Sequence, residues 1–226
     1  MKRVGILGGM SYESTIKYYE LILKKYYTKF KDYNYPEVVI FSLNFQKIID
    51  FELSNQNKEY LDYLLSGINF LKNSGVDFII MAANSPHSVY SELQKLSEAF
   101  ILSIVDVTAQ LAKRLGLKRL LLLGIKYTMQ STFYQETFKE NGMKVITPII
   151  EEQEIIDNII FKELVLGIIK EQSKKRLLDI IQNYDVDGVI LGCTELPLIL
   201  SQNDIESFVL DTVEIHTTEA LNFSLK

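Results

Sequence analysis

Apolar residues along the chain keep two alternating rhythms. Short unbroken apolar runs at Val4–Leu7, Val38–Leu43, Val76–Ala82, Leu120–Leu123, Val145–Ile149, Val186–Leu191 and Ser207–Leu210 predict strands, with a shorter one over Ile101–Val105. Between them, apolar positions recur at helical spacing. Ile16, Tyr19, Leu23, Tyr26 and Tyr27 predict a helix from Glu13 to about Phe30. Further helices are predicted over 57–73, 88–100, 108–115, 131–141, 155–169 and 173–184, a short helical segment from Leu198, and a closing helix from about Val213. Buried apolar strands alternating with helices predict an α/β fold of parallel sheets with helices on both faces.

The pattern also repeats. The run from Val76 to Asn84 (VDFIIMAAN) and the run from Val186 to Thr194 (VDGVILGCT) lie 110 positions apart, and each reads as an Asp, an apolar strand, two small residues and a polar one. Leu7-Gly8 is echoed by Leu123-Gly124, and Val38–Leu43 by Val145–Ile149. These echoes predict two similar α/β domains related by a pseudo-twofold axis, one from 1–103 plus 208–226 and the other from 104–207. Ligands of open α/β sheets sit beyond the carboxyl ends of strands. Those ends are Gly8–Ser11, Ala83–Ser85, Gly124–Thr128 and Cys193–Glu195, and the expected symmetry brings them to one cleft.

Composition narrows the chemistry. The 226 residues carry 24 Lys and Arg against 29 Asp and Glu, a net charge of −5 with the charges scattered, which argues against nucleic-acid binding. No apolar run is long enough to span a membrane. The basic start and apolar run at Met1–Leu7 break at Gly8-Gly9, short of the roughly 7–15 apolar residues a secretory signal needs. A cytoplasmic location is the expectation. A single cysteine, Cys193, leaves no intramolecular disulfide and no multi-thiolate metal site. Glu151, Glu152 and Glu154 read as a solvated helix start, and no His/Asp cluster has metal-ligand spacing.

The strand ends carry the candidate chemistry. Gly8-Gly9-Met10-Ser11 lacks both the dinucleotide fingerprint and the phosphate-loop Lys, and reads as a tight turn or a cradle in which Ser11 and helix-start amides meet a small anion. Gly192-Cys193-Thr194-Glu195 places a thiol before a helical segment, where a lowered pKa is expected. Asn84 and Ser85 are short donors suited to a carboxylate, as is Thr128. His87 and His216 are the two histidines; each reads as a base, an orienter of a thiol, or a structural residue.

Taken in order, these segments resemble the aspartate/glutamate racemase family. The run from Gly5 to Thr15 (GILGGMSYEST) is similar to its opening motif, and Tyr127-Thr128-Met129 with Phe133-Tyr134 to its middle motif. The run from Gly192 to Pro197 (GCTELP) is similar to its second-cysteine motif, and Asp211-Thr212 with Ile215-His216 to its closing one. The resemblance implies cofactor-independent racemisation in a homodimer: one thiolate removes the α-proton of a small amino acid or dicarboxylate, and a thiol on the other face returns one. It implies Cys193, Glu195, His216 and Ser85 as the catalytic set, and Met10, Ser11, Asn84, Ser85, Thr128 and Thr194 as substrate-binding, with no metal. The sequence departs from the family at its first-cysteine motif, usually Cys-Asn-Thr-x-His, which here reads Ala83-Asn84-Ser85-Pro86-His87. Three functions follow. One is a racemase in which Ser85, His87 or a water replaces the missing thiol. The second is a single-thiol decarboxylase or isomerase of small carboxylic acids. The third is a catalytically silent dicarboxylate-binding protein.

Overall fold

The computed structural model describes residues 1–54 and 56–226. Its contacts divide the chain into two units, 1–107 with 213–226 and 108–212. In unit 1, strands β1 (Val4–Gly8), β2 (Val38–Ser42), β3 (Phe78–Met81) and β4 (Ile101–Leu102) form a parallel sheet in the order β2-β1-β3-β4. In unit 2, β5 (Arg119–Leu123), β6 (Lys144–Ile146), β7 (Gly188–Leu191) and β8 (Phe208–Asp211) repeat that order as β6-β5-β7-β8.

The repetition reaches individual residues. The pairs Val4↔Phe78 through Leu7↔Met81 recur as Leu120↔Gly188 through Leu123↔Leu191. An Asp immediately precedes the third strand of each unit and fixes that register. Asp77 accepts from the Arg3 amide at 2.5 Å, and Asp187 from the Lys118 and Arg119 amides at 2.6 and 2.8 Å. These amides hold the Asp187 carboxyl below its ordinary pKa.

Ten α-helices are described among these residues: α1 (Tyr12–Phe30), α2 (Phe45–Ser54), α3 (Asn57–Asn73), α4 (Tyr90–Ser97), α5 (Ile104–Arg114), α6 (Lys126–Gln130), α7 (Phe133–Glu140), α8 (Ile150–Lys162), α9 (Glu171–Gln182) and α10 (Thr212–Ser224). Strand parity decides what each helix covers, because alternate side chains point to opposite faces. Val4, Ile6, Phe78, Ile80 and Ala82 meet Tyr18 and Ile22 of α1 and Val213 and Ala220 of α10. Leu7, Ile79, Met81 and Ala83 meet Ile48 of α2, Leu64 and Ile68 of α3 and Leu93 of α4. In unit 2, Leu121, Leu123, Val189, Leu191 and Cys193 face Ile156 and Ile160 of α8 and Leu177 and Ile181 of α9. Position 83 thus lies on the face covered by α2, and position 193 on the face covered by α8.

Several sequence expectations are corrected. Ile101–Val105 yields a strand of two residues only, because Ser103 accepts the Asp106 amide at 3.1 Å and caps α5, which begins at Ile104 rather than Thr108. The helix predicted over 131–141 is α7, with the separate short helix α6 before it, and that predicted over 155–169 starts at Ile150 as α8 and gives way to a short 3-10 turn over Leu164–Leu166. Residues 85–89 form a 3-10 turn that leads into α4. Helix α2 was not anticipated at all. The unit seams fall at 107/108 and 212/213 instead of 103/104 and 207/208, the second because β8 pairs with β7.

Candidate active site

In unit 2, β5 and β7 are bridged at their carboxyl ends by the Gly192 amide, which donates to the Leu123 carbonyl at 2.7 Å. The residues just past this bridge are Gly124 and Cys193. A Cβ on Gly124 would come within 3.1 Å of the Gly192 carbonyl oxygen and 3.4 Å of Thr128 Cβ, so the small residues here let α6 close over the strand ends. Thr128 is 1 % exposed, and its Oγ1 has no hydrogen-bond partner among the described residues. A buried hydroxyl without a partner is rare enough to require a reason.

Cys193 is 8 % exposed. Its Sγ donates to Glu195 Oε2 at 3.0 Å, and Thr194 Oγ1 donates to the same oxygen at 2.6 Å. Glu195 is itself buried. Burial pushes the thiol well above its usual range, and the nearby carboxylates of Glu195 and Asp157 add to that. The lowered thiol pKa expected from a helix start is therefore overturned. The segment after Cys193 is a single 3-10 turn over Leu196–Leu198, with too little dipole to offset burial beside two carboxylates. Asp157, on α8, anchors the start of α6 by accepting the Lys126 amide at 2.6 Å.

In unit 1, the Ala82 amide donates to the Leu7 carbonyl at 2.9 Å, the counterpart of the Gly192 bridge. The Gly8-Gly9 turn is held from within. The Gly9 amide donates to Thr15 Oγ1 at 2.8 Å, and Ser14 Oγ donates to the Ala82 carbonyl at 2.5 Å. Gly9 has φ +81°, and a Cβ there would lie 2.2 Å from the Leu43 carbonyl oxygen. The turn's glycines thus serve its own backbone packing. Ser11 caps α1, its Oγ accepting the Ser14 amide at 3.2 Å, and Met10 packs with Ala83 in the core.

Beyond β3, Asn84 and Ser85 are buried. The Asn84 carbonyl accepts from the His87 amide at 3.0 Å. Glu52 on α2 accepts from the Tyr60 hydroxyl at 2.8 Å. Burial raises the Glu52 carboxyl above its ordinary pKa, against the pull of the Ser85 and Tyr60 hydroxyls.

The two histidines are buried. His216 is fully enclosed, with Nδ1 3.0 Å from the Tyr18 hydroxyl and Nε2 2.9 Å from the Leu102 carbonyl. The carbonyl can only accept, so Nε2 carries the proton and Nδ1 accepts from Tyr18. His87 Nε2 accepts from the Ile104 amide at 3.2 Å, and Nδ1 faces the Asn84 carbonyl at 3.2 Å. Burial holds both imidazoles neutral, His216 down to about 4 and His87, with the His216 ring as a second cause, down to about 3. Both nitrogens of His216 are thus engaged inside unit 1.

Two carboxylates escaped the sequence reading, Glu52 and Asp157. Each is the eighth residue of the helix that follows the second strand of its unit. Among the described residues, no three His, Cys, Asp or Glu side chains gather as metal ligands would.

The sequence profile of the Asp/Glu/Hydantoin racemases matches residues 7–220. The chain is 28 % identical over 214 residues to the broad specificity amino-acid racemase RacX of Bacillus subtilis, covering 92 % of each. To the glutamate racemase of Aquifex aeolicus it is 30 % identical over 169 residues, 70 % of this chain and 61 % of that enzyme's length. Its fold is similar to the solved structure of an aspartate racemase homologue from Pyrococcus horikoshii OT3, with 36 % identity, a TM-score of 0.87 and 100 % coverage of both chains.

Proposed function

The chain belongs to the Asp/Glu/Hydantoin racemase family, and on that premise we propose that it racemises acidic amino acids, aspartate or glutamate, without a cofactor and with Cys193 as an acid/base. The observation that carries this reading is the buried Cys193–Glu195 pair at the carboxyl end of β7. The α-hydrogen of an amino acid is a very weak acid, so a useful base must itself be strongly basic once ionised. A thiol held well above its usual range meets that need and stays loaded with its proton near neutral pH. Glu195 receives the Sγ–H bond and so lies in line to take the thiol proton and return it. The carbanion that forms needs hydrogen-bond donors around the substrate carboxylate. This reading assigns them to Thr128, Thr194, Asn84 and Ser85, with Met10 and Ser11 shaping the turn beside them.

A second reading takes its support from Ala83, which has no proton to give. A decarboxylase generates its own carbanion and needs one proton donor, so Cys193 alone would serve. Turnover of a prochiral malonate to one enantiomer would favour it.

Deuterium exchange separates the two. In D2O, proton NMR should show loss of the α-hydrogen from both enantiomers of aspartate or glutamate, and Cys193→Ala should reduce that loss at least about a hundredfold for one of the two enantiomers. Exchange with retention only, or no exchange, would contradict the racemase reading.

A further inference from the structure

Helix α1 of unit 1 carries two apolar faces. Tyr18 and Ile22 lie buried against the sheet. On another flank Tyr12, Ile16, Tyr19, Leu23, Tyr27 and Phe30 recur in steps of three and four, which lines them up as one stripe along the helix. Most of that stripe is open. Tyr12 is 67 % exposed, and Ile16, Tyr19, Tyr27 and Phe30 are between 40 and 59 % exposed. Tyr33, 78 % exposed, stacks on the Tyr27 ring at 5.6 Å and prolongs it. At roughly 200 Å² for a whole side chain of this size, these fractions leave about 650 Å² uncovered. The largest apolar patch on a typical monomer is about 300–600 Å². Charge is sorted along the same stripe. Glu13 and Glu20 border its first half and Lys24 its second. At its far end the Lys29 and Lys31 ammonium groups lie over the Phe30 and Tyr27 rings, at 5.3 and 5.8 Å from their centres. Lys17, in the first half, lies about 120° round the helix from the stripe's centre line.

We propose that this stripe is the docking surface for a second copy of the chain, with α1 packed antiparallel on α1 about a two-fold axis. A two-fold contact requires a patch that complements itself, and this one does so in shape and in charge. An axis through Leu23 sets Ile16 against Phe30 of the second copy and Tyr19 against its Tyr27, so apolar side chains meet along the whole stripe. The same axis brings the acidic half of each helix to the basic half of the other. A parallel arrangement would set like charge on like. Antiparallel packing also opposes the two helix dipoles, which favours it further. The two stripes together would bury about 1,300 Å², within the roughly 1,200–2,000 Å² of specific interfaces. Their content is right as well, since tyrosine and phenylalanine are enriched at the centre of such interfaces.

Sedimentation velocity over a dilution series tests this on the full chain. Wild type should run as a dimer, at twice the 26.1 kDa of one chain, and dissociate on dilution. Tyr19→Glu puts a charge in the stripe and should weaken the dimer by about thirtyfold or more. Two charge variants probe the orientation. Glu13→Lys/Glu20→Lys makes the bordering charges all basic, and Lys24→Glu/Lys29→Glu makes them mostly acidic. Each alone should be monomeric at concentrations where wild type is paired, and an equal mixture of the two should form a heterodimer. A stripe that matters only for folding would not be rescued by mixing, and two variants that stay monomeric together overturn the proposal. So does a wild-type chain that is monomeric throughout, or a dimer that Tyr19→Glu leaves within threefold of wild type. Should Tyr19→Glu lose its helical circular dichroism, the mixed charge variants decide. A monomeric wild type that instead sediments with phosphatidylglycerol vesicles assigns the stripe to a membrane surface and also overturns the proposal.

Discussion

Replacing Thr128 by valine exchanges a buried hydroxyl for a methyl group of nearly the same volume. The residue is 1 % exposed, and its Oγ1 lacks a hydrogen-bond partner among the described residues. A buried hydroxyl left unbonded costs about 1–3 kcal/mol of desolvation, which valine removes. The β-branched shape that fits beside Gly124 and Gly192 is kept. Thr128→Val should therefore be more stable by about 1–3 kcal/mol. In a chain of this size each kcal/mol shifts Tm by about 2–4 °C, so the melt should move up by roughly 2–12 °C. The same hydroxyl is assigned to a substrate carboxylate, and a hydrogen bond to a charged group is worth about 1.5–3 kcal/mol. KM should then rise by about one to two orders of magnitude, at 1.4 kcal/mol for each factor of ten. Differential scanning calorimetry and steady-state kinetics on one preparation read both effects. A lower or unchanged Tm would refute the reasoning about the unbonded hydroxyl. A higher Tm with unchanged KM would refute its assignment to the ligand.

The buried histidines predict acid sensitivity. Both have folded pKa values below the ordinary 6.5, about 3 for His87 and about 4 for His216. The unfolded chain therefore takes up protons that the folded chain refuses. The stability they contribute is fully present above pH 6.5 and falls as pH drops towards 4, by about 2 kcal/mol for each histidine at pH 5. Urea unfolding at pH 7 and pH 5 measures it, and equal stability at the two values would contradict the burial argument. Gly9→Ala should lower stability by more than about 2 kcal/mol, since it combines an unfavourable positive φ with a Cβ placed 2.2 Å from the Leu43 carbonyl oxygen. A melt within 2 °C of wild type would show that the β1 turn relaxes freely.

Much of this architecture was legible in the sequence. Apolar strands punctuated by small residues marked β1, β3, β5 and β7, and the Asp before β3 and β7 revealed the duplication before its clamp on the first strands was visible. Helix α2 escaped, although a signal was there. Asn44, whose side chain accepts the Lys47 amide at 3.4 Å, precedes Phe45, Ile48 and Phe51 at helical spacing. The start of α5 had the same kind of signal, Ser103 followed three residues later by Asp106, but the apolar run Ile104-Val105 masked it. Glu52 had no local signal as a site residue. Its bond from Tyr60 joins α2 to α3 and shows only in the fold. The thiol of Cys193 was located correctly at its strand end but assigned the wrong direction of pKa change. Motif spacing reports the end of a strand, whereas the pKa depends on burial and on carboxylates that the fold brings in, Asp157 from α8 among them.

Chiral chromatography tests the central claim most directly. L-Aspartate and L-glutamate, and separately their D-enantiomers, are incubated with the wild-type chain and with Cys193→Ala. Wild type should carry at least one of these amino acids to an equal mixture from either side, while Cys193→Ala leaves each enantiomer as it started. Unchanged enantiomers with wild type, or racemisation that survives in Cys193→Ala, would contradict the account.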